Sequence, residues 1–304
     1  MSCYVLTSNL TTHVIKLHTH AHTQTNNNKQ NTFSLLNLVL DPLFIFGTPL
    51  GVVGAACATA LSETASGITY LSLLLKRKLT KLSLLLQPPS FKALLPLIMG
   101  GASMLGRQLA LNVGFVYAAR RTQSLDPTGV IAAAYGIVMQ MYSVGIVIHV
   151  AMQGTAAALV PSTLAKTGGE KDARRVADRL FVWGSIVGIL LGILQIIAIP
   201  WLVPMFTPLP AVQQAVRVPA MIAAIMHVVN GPGLVGEGVM LGLGRYRDLM
   251  LVTTAGIGTM VAGLFSPMGM SLNGIMWSFL SFCSFQAIVT LFHYLKIGPL
   301  AINA

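Results

Sequence analysis

The sequence predicts an all-α membrane protein that crosses the bilayer several times, and three observations carry that reading. Of 304 residues, 54% are hydrophobic and only 9% charged, with a mean hydropathy of +0.74; a water-soluble globule of this size would have almost no polar surface. From Leu50 onward an apolar run recurs roughly every 25 to 30 residues, each about long enough to cross a bilayer. The basic residues fall in every second connection between those runs. Spanning segments must satisfy their own backbone groups in lipid, and the runs are therefore helical.

Residues 1 to 33 are different in kind. They hold His13, His18, His20 and His22, a tract of asparagine and threonine, two lysines and no acidic residue, the composition of a disordered or non-native leading segment. His18, His20 and His22 alternate, but nothing supplies the further ligands of a closed metal site. The segment has neither the apolar stretch of a signal peptide nor the amphipathic arginine pattern of a transit peptide.

A short apolar run at 34–47 contains Asp41 and Pro42 and is too brief to span by itself; it reads as the end of a helix that begins outside the sequence. Full spans are expected near 50–75, 93–119, 128–160, 180–204, 218–243, 248–266 and 271–295. Lys76, Arg77, Lys78, Lys81 and Lys92 follow the first of these, and Lys166, Lys171, Arg174, Arg175 and Arg179 come two loops later. Arg245 and Arg247 continue the series, and Lys296 follows the last span. The alternate loops carry only Arg120 with Arg121, then Arg217, then nothing. A missed or invented helix would throw the two series out of phase, and by the positive-inside rule the basic loops are cytoplasmic, or stromal in a plastid.

The formal charge of +11 would suggest nucleic acid as a partner in a soluble protein; here it sets topology, and no nucleic-acid role is expected. Cys3, Cys57 and Cys283 share no metal-like spacing. Gly184, Gly188 and Gly192 repeat on one helical face and predict close helix packing. No nucleophile motif or metal-like cluster lies within the spans, so neither an enzyme nor a cofactor is expected.

Ionisable groups at membrane depth mark candidate sites, because an unpaired charge there is costly. Glu63 lies about 20 Å from the basic face at 1.5 Å per residue, and Arg107 at a similar depth. A Glu63–Arg107 ion pair is one reading; Arg107 holding an anionic substrate is another. Asn230, Gly231, Pro232 and Gly233 precede Glu237 in its span, and Pro232 is expected to kink or break that helix, freeing carbonyls at a depth typical of transporter sites. Glu237 then either carries a coupling proton or pairs with Arg245 or Arg247. His149 and His227 are further candidates for proton relay or substrate binding, against the plainer reading of a hydrogen-bonded core histidine.

Several motifs resemble one transporter family. Leu36-Asn37-Leu38-Val39-Leu40-Asp41-Pro42-Leu43-Phe44-Ile45-Phe46-Gly47, followed by Gly51 to Ser62, is similar to a recurrent stretch of the multidrug and toxin extrusion (MATE) transporters. Ala118-Ala119-Arg120, Lys171-Asp172-Ala173 with Val176-Ala177-Asp178-Arg179, and Glu237-Gly238-Val239-Met240-Leu241-Gly242 add to the likeness, which covers residues 35 to 296 and is nearest to the branch named for DNA-damage-inducible protein F, with its plant and algal members. The resemblance implies twelve helices in two six-helix lobes and export of an organic ion or xenobiotic in exchange for protons or sodium. On that plan residues 34–92 are the end of helix five, helix six and a basic linker; 93–296 are the second lobe; and 297–304 are a cytoplasmic tail. Helices one to four are absent, including the acidic group this branch carries on helix one. His149 stands about where relatives often have aspartate before glycine. The chain is thus expected to be incomplete as a transporter, needing its first lobe or a partner transporter chain. A half-lobe that regulates a full-length partner, or a lipid-linked-sugar flippase of related fold, are the alternatives. Plasma membrane and plastid envelope fit equally.

Overall fold

The structure, a computed structural model, describes residues 26–78 and 89–301. The leading segment with His18, His20 and His22 lies outside the described residues, apart from its last turns. Among the described residues eight long helices follow one another: α1 (Asn26–Phe46), α2 (Val52–Lys76), α3 (Phe91–Leu125), α4 (Val130–Leu164), α5 (Glu170–Phe206), α6 (Pro210–Gly242), α7 (Tyr246–Phe265) and α8 (Leu272–Phe292). The chain divides into two compact units, Met1–Ala93 and Leu94–Ala304.

In the first unit α1 and α2 pack together. Gly51 turns the chain between them with a φ of +53°, a value that favours glycine. Gly54 lies against the α1 backbone, where an added Cβ would stand 2.5 Å from the Phe44 carbonyl oxygen. Helix α2 has the 25 residues needed to cross a bilayer, but it is not among the six described helices that are both long and apolar enough to do so. The reason is its run of Ser62, Glu63, Thr64 and Ser66, which lowers its apolarity below that of the others.

Those six are α3 to α8, with α8 running on to Ile297. The second unit is therefore an all-α, multi-pass integral membrane domain, and α6 is its central post, packed against α4, α5 and α8. The three glycines of α5 make that packing possible: a Cβ at Gly184, Gly188 or Gly192 would lie 2.6, 2.5 or 2.8 Å from the carbonyl oxygens of Gly231, His227 and Ala224 on α6. The backbones themselves touch, as small residues at a membrane interface allow.

Helix ends are closed locally. Pro210 starts α6 at a position where its missing N–H is harmless. At the other end Arg245 N–H donates to the Met240 carbonyl and Gly244 N–H to that of Leu241, at 2.9 and 3.1 Å, with Gly244 at φ +70°; this is a Schellman closure. Ser271 Oγ accepts from Gly274 N–H at 3.1 Å and caps α8.

Contrary to the sequence expectation, Pro232 does not break α6, which is helical without interruption from Pro210 to Gly242. Proline removes one backbone bond, but the close contact of Gly231 with Gly184 holds the turn against α5. The tail after α8 also folds back: Arg174 Nη1 donates to the Leu300 carbonyl at 2.9 Å, and Leu300 is buried.

Two apolar clusters fill the unit. One gathers Val138, Met141, Val216, Met226, Ile275 and Phe279; the other gathers Ala156, Ala173, Phe181, Val239 and Tyr294. Along α4, α5, α6 and α8 the residues between these clusters include His149 and Gln153, Gln195, His227 and Asn230, and Gln286. A polar layer thus separates two dry cores.

Candidate ion-coupling site

Glu237 sits on α6, almost fully buried, with donors arriving from three other helices. Arg107 of α3 forms an ion pair through Nη2 to Oε2. Gln153 of α4 donates Nε2–H to Oε2 at 2.8 Å, and Gln286 of α8 donates to Oε1 at 2.5 Å. Thr253 of α7 closes the ring, its Oγ1 accepting from Arg107 Nε at 3.1 Å and from Gln286 Nε2 at 3.0 Å. Five helices therefore meet at one carboxylate. Every partner of Glu237 donates, which is the arrangement of an ionised carboxylate, since a protonated one would need an acceptor. The Arg107 side chain is 13% exposed and that of Glu237 4%, so this is a buried pair in which neither charge has water to fall back on.

A second polar group lies toward the other end of α4 and α6. Asn230 Nδ2 donates to the Tyr142 hydroxyl. The His227 ring stacks between Tyr142 and His149, with centroids 4.9 and 5.4 Å apart. His227 Nε2 meets Gln195 Oε1 at 2.9 Å, and Gln195 Nε2 donates to the Ala220 carbonyl at 2.9 Å.

The sequence candidates thus separate into two sets. Arg107 and Glu237 come together; Asn230 and His149 join the ring stack instead. Glu63 is exposed on α2 in the other unit, and the guanidinium read as its partner is engaged by Glu237 and Thr253. Arg245, the other partner considered for Glu237, pairs with Asp248 at 2.7 Å. Gln153, Gln286, Thr253, Gln195 and Tyr142 were not singled out from the sequence. The signal that would have found them is the side-chain amide: Gln153, Gln195 and Gln286 all lie within long apolar runs, where a polar group needs a partner.

An all-α domain with six bilayer-length helices and a charged cluster buried among them belongs to the polytopic integral membrane proteins. Residues 124–264 match the MatE family profile. Protein DETOXIFICATION 45, chloroplastic, of Arabidopsis thaliana is 27% identical over 80% of this chain and 42% of its own length. Multidrug export protein MepA of Staphylococcus aureus (strain N315) is 23% identical over 84% of this chain and 57% of its own. A crystal structure of MATE in complex with MaL6 superposes with a TM-score of 0.70 at 18% identity, over 84% of this chain and 59% of that one. Over these residues the chain is similar to the MATE transporters, and it spans about half the length of the relatives it matches.

Proposed function

We propose that this chain forms the second lobe, with the end of the first, of a secondary active transporter that exports an organic ion or xenobiotic in exchange for protons or sodium, and that Glu237 is its coupling carboxylate. The observation that carries this reading is the buried Arg107–Glu237 pair, ringed by amide donors at the junction of five helices. A buried structural pair is hydrogen-bonded as well, but amides in particular can follow the carboxylate through both of its states, because each carries a donor and an acceptor.

When a proton binds Glu237, the ion pair loses its attraction, and the acid needs an acceptor. Gln153 or Gln286 supplies one by turning its amide through half a rotation, so that a carbonyl oxygen replaces the NH2. Sodium is accommodated by the carboxylate oxygens and the same amide oxygens. In either case Arg107 is released toward Thr253 and becomes available to a substrate. The conformational consequence follows from linkage: an ion that binds one state of the lobe better than the other shifts the balance between them.

The names of the relatives support export, MepA as a multidrug export protein. Rocking two lobes around a central site requires both, so alternating access involves a first lobe supplied by a longer chain or by a partner. Reading the transcript upstream of the Phe33 codon tests that part directly: four or five further apolar spans are expected.

The functional test is substrate exchange in proteoliposomes holding the complete transporter, driven by an imposed pH or sodium gradient. Glu237→Gln is expected to lose stability, because Arg107 is left unpaired, and to abolish gradient-driven accumulation in the protein that still folds. Accumulation at the native level by Glu237→Gln would overturn the assignment.

A further inference from the structure

The Tyr142–His227–His149 stack holds buried hydrogen-bonding capacity that the Glu237 site does not use. His149 is 0% exposed, and neither ring nitrogen has a hydrogen-bond partner among the described residues; the same is true of His227 Nδ1. The tautomer of His227 follows from its neighbours. A carbonyl only accepts, so the Ala220 oxygen fixes which end of the Gln195 amide is NH2, and Gln195 Oε1 faces His227 Nε2. The proton of a neutral His227 is therefore on Nε2, and Nδ1 presents a bare lone pair. A neutral His149 adds a second lone pair and one N–H.

Buried polar groups are almost always satisfied, and two acceptors beside one donor suit small polar guests that can both give and take hydrogen bonds. Gly145 makes the stack itself possible, since any Cβ there would collide with the His227 imidazole. The place is also specific. His149 precedes Gln153 by four residues on α4, one turn along the same face, and Gln153 is a donor to Glu237.

We propose that His149 and His227 form a second, enclosed proton-binding site of this lobe, in which water bonded to the free ring nitrogens carries a proton between His149 and the Gln153–Glu237 cluster. The role in coupling rests on the reading of Glu237 given above; proton binding by the stack does not. The transfer is simple in its balance: an O–H bond of Glu237 breaks, the proton passes through water, and an N–H bond forms on His149. The resulting imidazolium lies over the face of His227, which is itself stacked on Tyr142, so the charge meets π-electron density. The titratable or charged groups on the surrounding helices are Tyr142 on α4, His227 and Glu237 on α6, Cys283 on α8 and Arg107 on α3. Helices α5 and α7 contribute the uncharged Gln195 and Thr253.

The test is nitrogen NMR of 15N-histidine-labelled full chain in lipid bilayers between about pH 3 and 8, a range that includes the one in which histidine ordinarily changes charge. The His149 resonances are assigned by difference against His149→Phe, or against His149→Gln if the first variant does not fold. His149 is expected to pass from one protonated nitrogen to two within that interval, while His227 keeps its proton on Nε2. A His149 that stays neutral throughout, with ordered water only, would overturn the proposal.

Flux measurements on the complete transporter separate this inference from the functional one. If the site relays protons, His149→Phe shifts the midpoint of the pH profile of transport by about one unit or more, tenfold in proton affinity, and Glu237→Gln leaves the His149 titration in place. Transport that ignores pH gradients while His149 still titrates would sink the coupling role and leave the proton site standing. Proton-driven transport with an inert His149 would do the reverse.

Discussion

Arg107 on α3 and Glu237 on α6 are 130 positions apart in the chain and form an ion pair inside the second unit. Such a pair joins two helices that otherwise meet little; α3 touches α7 instead at Gly114, which the Met260 and Ile257 side chains approach. Removing one member leaves the other charge buried and unpaired, which costs about 3–5 kcal/mol, whereas replacing both with apolar residues of similar volume is nearly neutral or even stabilising. Thermal unfolding in detergent is expected to show Arg107→Met as strongly destabilised and Arg107→Met with Glu237→Leu as less destabilised than the two single changes summed, the remaining loss coming from the Gln153 and Gln286 amides that the carboxylate had paired. A double variant as unstable as the sum of its singles would mean that the two side chains do not act as a pair.

Much of the fold was legible in the sequence because bilayer crossing leaves coarse marks: apolar length, and basic residues in alternate loops. The glycine face of α5 was equally readable, since a four-residue repeat of glycine has one geometric meaning. The site was legible only in part. Glu237 and Arg107 were conspicuous as charges at depth, but the partner of each depends on which helices adjoin, and that is a tertiary fact. Pro232 misled because the local rule for proline in a helix ignores neighbours that hold the turn in place. The glutamines were passed over because an amide carries no charge, although at membrane depth it is bound to the same need for a partner.

The α5–α6 contact predicts a sharp contrast between glycines. Gly188→Val forces a side chain into the His227 carbonyl and must separate two backbones; overpacking of this kind costs about 1–3 kcal/mol or more. Gly154→Ala meets nothing within 4 Å on the exposed face of α4 and removes a flexible residue from a helix, a gain of about 0.5–1 kcal/mol. The melting temperatures of the two variants are expected to move in opposite directions. Equal tolerance of both changes would mean that α5 and α6 do not touch where the glycines align.

The loop before α4 predicts a pH dependence outside the membrane. Asp126 accepts from the Thr128 hydroxyl and from Thr128 N–H at 2.9 Å, and from Ile131 N–H at 3.3 Å. These bonds, with the Thr128 hydroxyl foremost, hold its pKa below the ordinary 3.8. A depressed carboxylate stabilises the fold fully above its unfolded value and loses that contribution as pH falls through the folded one. Asp126→Asn is therefore expected to melt below the parent at neutral pH, with the gap closing under acid conditions below about pH 4. A gap that is constant with pH would show that the loop gains nothing from the charge.

With Glu237 as the coupling carboxylate proposed above, its pairing with Arg107 also fixes how a proton and a substrate would influence each other at this site. A cationic substrate and a proton both seek Glu237 in place of Arg107, so each weakens the binding of the other, as exchange requires. An anionic substrate instead takes Arg107 from Glu237 and leaves a carboxylate that accepts a proton more readily; anion and proton then favour each other's binding. Because linkage is reciprocal, substrate affinity measured against pH on the complete transporter distinguishes the two. For a cation, affinity is expected to rise with pH; for an anion, to fall with it. In Glu237→Gln both dependences should vanish, because the shared carboxylate is gone. A pH dependence that survives unchanged in that variant would place proton binding elsewhere, with the His149 stack the first site to examine.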